Sequence, residues 1–262
     1  MFGKTYNTAN AKFSLVITIS CDGKKTFRVW AEETGKQNSR YADRVVEVNG
    51  VRTIHINFPT SPESIFLGVL NAVNPKDTDF QVGTIEAPLT TYNIWLDDET
   101  KRFLKLSTTF STVCGYEPAS DNGRLFRSGN GEFNIKYFNV IRDYKTGQAM
   151  NTPARIGHRT GNIEAAKVKF DTYTIPMRQI ILDHEFSHVY KNPKMGLQIS
   201  NEVGADINAL YFYLGLGYSK IDAICVFANV FLKAQTKSNI ERMRKIMEYI
   251  QRFENQEFAQ KN

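Results

Sequence analysis

The sequence predicts an α+β protein whose β-rich first half gives way to a helical end. Three observations carry this expectation. Apolar residues alternate one by one in several stretches of residues 1–120, as on a half-buried strand. A run rich in Gly, Asn and Ser, GYEPASDNGRLFRSGNG at 115–131, then interrupts the pattern. From Pro176 onward apolar residues recur every three or four positions. The expected division is a β-rich region with one helix over 1–120 and a second domain over 121–262.

Taken in order, Phe13, Leu15, Ile17 and Ile19 alternate as one strand face. The same stretch, with lysines before a short apolar run, carries a weaker likeness to a lipoprotein signal ending at Cys21, but Thr18 stands where an aliphatic residue belongs, so a first strand is expected and no secretion signal. Asp22-Gly23 and Asn49-Gly50 lie between β-branched runs and predict two hairpin turns. SPESIFLGVLNAVNP predicts a helix, with Ser61 as N-cap, Pro62 in the first turn and Pro75 after the end. YNIWLDDETKRFLKL predicts a further hairpin with Asp97–Thr100 at its tip. EFNIKYFNVIRDY and AAKVKFDTYTI predict strands. Four helices follow: one from Pro176, one from about Ser200 to Gly215 or Gly217, one over about 219–234, and one opened by a Ser238/Glu241 capping box with Ile240, Met243, Ile246, Met247, Ile250 and Phe253 as its apolar stripe.

Composition narrows the function classes. A net charge of +6 is spread among acids with no basic run, which gives little support to a nucleic-acid partner. The three cysteines are far apart and never in CxxC spacing, which argues against a disulfide framework and fits a reducing compartment or a virion interior. No apolar run reaches the roughly 20 residues of a membrane span.

Two of the four histidines fall in DHEFSHVYKN, residues 183–192. On a helix, residues four apart project side by side, so His184 and His188 form a ready pair of metal ligands. Glu185 is placed to reach a water on the metal without ligating it. A zinc hydrolase needs a third protein ligand and one open position. NEVGAD at 201–206 supplies Glu202 as third ligand, with Asp206 one turn on to orient a ligating histidine; Asp206 as third ligand in place of Glu202 stays open. Asp183 is expected to face solvent. His55 is expected to be structural.

HEFSH followed by NEVGAD resembles the gluzincin type of zinc metallopeptidase, in which His-Glu-x-x-His is followed on the next helix by Glu and, four residues later, Asp. The run LDHEFSHVY…NEVGADINALYFYLGLGYSK is also similar to predicted peptidases of large tailed bacteriophages, including crAss-like phages. The resemblance implies a zincin-like metallopeptidase domain over 121–262, one Zn2+ per chain held by His184, His188 and Glu202, Asp206 behind them, and Glu185 as general base in peptide-bond hydrolysis. It covers under a fifth of the chain. Thirteen residues separate His188 from Glu202, fewer than in thermolysin-like enzymes.

A second donor must meet the charge that develops on the carbonyl oxygen. His158, Tyr190, Tyr211 and Tyr218 are open for this role. His158 is preferred because ARIGHRTGN precedes the metal helix, where the family places an edge strand along which a substrate strand lies. The expected partners are a protein or peptide substrate and, for a phage protein, neighbouring virion proteins or further copies of the chain. Synthesis in the host cytoplasm, with incorporation into a particle, fits the same resemblance. The competing expectation is a neck, tail or ring component in which zinc is structural.

Overall fold

A computed structural model describes residues 1–157, 159–190, 201–232, 234, 236–255 and 260–261. The protein mixes sheets and helices in two compact units, residues 1–90 and 91–262. The boundary therefore falls thirty residues earlier than the Gly-rich run suggests. The reason is the helix within 91–120, which packs on the second unit's central helix.

The first unit is an antiparallel sheet of β1 (Phe2–Asn7), β2 (Phe13–Glu33), β3 (Arg40–Phe58), β4 (Ser64–Asn71) and β5 (Gln81–Pro88). β2 and β3 form one long ribbon from Phe13↔Phe58 to Glu32↔Arg40. The other edge of β2 pairs with β5 along its first part and with β4 along its last, and β1 flanks β4. The two expected hairpins at Asp22-Gly23 and Asn49-Gly50 are absent. Both dipeptides sit at the same level of this ribbon, where the register shifts between Cys21↔Gly50 and Lys24↔Asn49. Gly23 and Gly50 take positive φ there, the backbone a bulge needs as much as a turn does.

Residues 61–75 hold a strand, β4, where the sequence suggests a helix. Ile65, Leu67 and Val69 alternate into the core, and Ser61 binds the Ala11 carbonyl instead of capping a helix. The opposite correction applies at 98–113, which form helix α1 (Asp98–Val113) in place of a hairpin. Asp97 accepts the Thr100 N–H at 2.7 Å, and Asp98 and Glu99 fill the first turn, where the helix dipole favours anions.

The second unit adds β6 (Tyr92–Asn93), β7 (Arg124–Arg127), β8 (Asn134–Phe138), β9 (Ala154–Ile156), β10 (Ile163–Ala166), α2 (Lys167–Phe170), α3 (Ile175–Ser187), α4 (Asn201–Gly215), α5 (Lys220–Val226), which runs into a π-helical turn at Phe227–Phe231, α6 (Lys237–Glu254) and β11 (Gln260–Lys261), paired with β6. Its sheet has the order β7-β8-β10-β9, with β8 and β10 parallel and β9 antiparallel at one edge. The strand expected over 165–175 ends at Ala166 and turns into α2, closed by a Lys167–Asp171 ion pair. Among the described residues, no helix is long and apolar enough to cross a membrane.

Helix α3 is the centre of this unit. Thr174 caps it and Pro176 occupies its first turn. Every residue of α3 except Met177 is buried, because α1, α4, α5, β9 and β10 surround it. Its polar side chains are matched to these neighbours. Arg178 donates to the carbonyls of Phe170 and Ser111. Gln179 donates to Ser107 at 2.8 Å and to Asp183 at 2.9 Å. Asp183, expected in solvent, is therefore inside, and burial drives its carboxyl well above the usual carboxylate range. Phe186 stacks on Phe103 (3.9 Å between centroids) and Tyr190 (4.4 Å), which locks the helix rotation. Helix α6 starts two residues before the expected capping box, with Thr236 accepting the Asn239 N–H. Its stripe divides: Ile246, Ile250 and Phe253 are core, while Ile240 and Met247 are exposed.

Candidate metal centre

The rotation of α3 brings Nε2 of His184 and Nε2 of His188 to 3.1 Å from each other. Helix α4 begins beside them, and the two carboxylate oxygens of Glu202, in its first turn, lie 3.8 Å one from each imidazole. The three ligand atoms fall within 4.8 Å of one another, so His184, His188 and Glu202 can hold a metal ion. Tetrahedral zinc with bonds near 2.0–2.1 Å places its ligand atoms roughly 3.3 Å apart, which these spacings bracket. Of the two acids left open, Glu202 joins the histidines on their Nε2 side. Asp206 lies behind, with Oδ1 at 3.0 Å from His184 Nδ1.

Burial is graded across the site. His184 and Asp206 are buried, whereas the Glu202 side chain is 54% exposed, so the ion position opens to solvent on that side. Burial pulls the His184 pKa down, but contact with Asp206 and the charges of Glu185 and Glu202 outweigh it, leaving it above the ordinary value. Glu185 faces the same space and is only 8% exposed. Burial raises its pKa and Glu202 adds to this; His184 and the Ile156 backbone N–H act against it.

These groups line a cleft of about 450 Å³. One wall is the segment Asn151–Pro153 with Arg155 and Ile156 of the edge strand β9; the other is Val230 and Phe231. The π-helical turn turns Phe231 onto the His184 ring at 4.4 Å between centroids. Arg155 is held by Glu164 and by the Arg142 carbonyl.

His158 lies outside the described residues. Among those described, the three tyrosines do not line the cleft: Tyr211 accepts the Trp95 N–H, Tyr218 stacks on Tyr213, and Tyr190 stacks on Phe186. His55 is on β3, in the other unit. Arg242 of α6 is the residue that sequence reasoning missed. Its guanidinium grips Asp206 through Nε and Nη2, both at 2.9 Å, and Nη2 lies 3.1 Å from Glu202. Its only sequence signal is one more basic residue on an amphipathic helix, thirty-six positions past Asp206. No family model, no curated protein and no solved structure matches the chain.

Proposed function

We propose that this chain is a zinc-dependent metallopeptidase. The observation that carries the reading is Glu185: a buried carboxylate faces the cleft beside a three-ligand set without belonging to it. A metal kept only for stability has no use for such a base. Two imidazoles and one carboxylate form a donor set suited to zinc, and three protein ligands leave a fourth position for water or substrate.

When bound, zinc supplies a Lewis acid that lowers the pKa of water from 15.7 towards roughly 7 and polarises the peptide carbonyl. Glu185 accepts a proton from the water that adds to the carbonyl carbon, and hands it to the amine nitrogen as the C–N bond breaks. Asp206 keeps the His184 ring turned with Nε2 towards the ion position. Strand β9, at an edge of its sheet, offers backbone groups on which an extended peptide pairs as an added strand. Ile156 and Phe231 give the two walls of the cleft apolar patches. The resemblance of residues 182–220 to phage peptidases supports phage or host proteins as substrates, with the enzyme carried in a particle.

Glu185→Gln tests this. The variant is expected to keep about one zinc per chain and to lose cleavage of a peptide library by about 10²- to 10⁴-fold. A zinc-loaded wild-type protein that cuts no peptide overturns the proposal.

A further inference from the structure

We infer that Arg242 is a positioning residue of the metal centre, holding Glu202 and Asp206 in their working places from a third helix. The inference rests on the reading of His184, His188 and Glu202 as ligands. Glu202 is the least anchored of the three: its side chain is 54% exposed, and a glutamate in water samples many rotamers. Arg242 is 12% exposed and meets it at 3.1 Å. The same guanidinium grips Asp206, which is fully buried and needs a cationic partner there. Asp206 in turn faces His184 Nδ1 at 3.0 Å.

The contacts close a ring through α3, α4 and α6: Arg242 to Asp206, Asp206 to His184, His184 to Glu202, and Glu202 back to Arg242. One planar fork with several fixed donors can serve two carboxylates at once, and a lysine ammonium cannot reproduce that geometry. Arg242 also opposes a bound cation by plain charge repulsion. Positioning and repulsion therefore act in opposite directions on metal affinity, and substitution separates them.

The experiment is zinc affinity by competition with a chromophoric chelator, for wild type, Arg242→Lys and Arg242→Met at one pH, together with the visible spectrum of the cobalt-loaded forms. Positioning predicts that both variants bind zinc about 10- to 100-fold more weakly, with cobalt bands altered as Glu202 leaves the ion. Unchanged affinity in Arg242→Lys, or tighter binding in Arg242→Met, overturns the assignment while leaving the ligand set intact. A wild type that binds no zinc removes the ligand set and this inference with it. A crystal structure of metal-free wild-type protein decides the matter even where the variants fail to fold. Glu202 is expected against Arg242, and a Glu202 carboxylate swung away from it overturns the inference.

Discussion

Adding zinc to metal-free protein should slow amide exchange in α3 and α4 about a thousandfold, with no comparable change in β2 and β3. The three candidate ligands bridge α3 and α4, both within residues 91–262, and residues 1–90 contribute none. A ligand held at about 1,000 times its Kd stabilises the form that binds it by about 4 kcal/mol. Each 1.4 kcal/mol is about a factor of ten, so amides that exchange only when the second unit opens slow about a thousandfold. The most sensitive probes are the buried amides of α3, whose exchange requires separation from both α1 and α4. Hydrogen exchange followed by mass spectrometry of peptic fragments, in excess chelator and then in excess zinc, reads both units in one experiment. Equal slowing in fragments of β2 and β3, or none in α3, refutes the reasoning.

Three further outcomes follow from the packing. Phe186→Leu keeps an apolar side chain but loses the stacks on Phe103 and Tyr190 and the edge contact with Phe133; at about 0.5–1.5 kcal/mol per pair it should cost about 1.5–4.5 kcal/mol in urea unfolding, and a loss under about 1 kcal/mol contradicts this. A Cβ at Gly68 would stand 2.2 Å from the Trp30 ring, whereas one at Gly83 meets nothing within 4 Å. Gly68→Ala should therefore destabilise by about 1–3 kcal/mol and perturb Trp fluorescence, and Gly83→Ala should stay within about 0.5 kcal/mol; equal effects would refute the contact. The Arg28 guanidinium, aided by Arg40, holds Asp43 below its ordinary pKa of 3.8. Its contribution is thus present above that value and lost as pH falls through the lower folded one, so Asp43→Asn should flatten the acid limb of the stability profile below about pH 4.

The candidate site was legible because its chemistry is local. His184, Glu185 and His188 lie within five residues, Glu202 and Asp206 within another five, and helical spacing alone aligns each group. Arg242 was illegible because its partnership depends on how α6 docks, which no spacing encodes. In the fold, the misreadings share one cause: the same residue types serve different local geometries. Asp97–Thr100 can make a hairpin tip or an N-cap, and the buried helical period of Phe103, Phe110 and Ser107 decided for the cap. Gly23 and Gly50 can make turns or a bulge, and the continuous ladder on either side decided for the bulge. Around Pro62, capping signals outweighed the period-2 alternation of Ile65, Leu67 and Val69, which the sheet then used. Asp183, about 100° round the helix from His184, reads as solvated only if that side of α3 is free, whereas it is fully buried.

The most direct measurement is anomalous X-ray diffraction at the zinc absorption edge from crystals grown with zinc. One peak is expected, at about 2.0–2.2 Å from Nε2 of His184, Nε2 of His188 and a carboxylate oxygen of Glu202. No peak there, with the three side chains turned apart, would contradict the metal centre and the hydrolytic chemistry built on it.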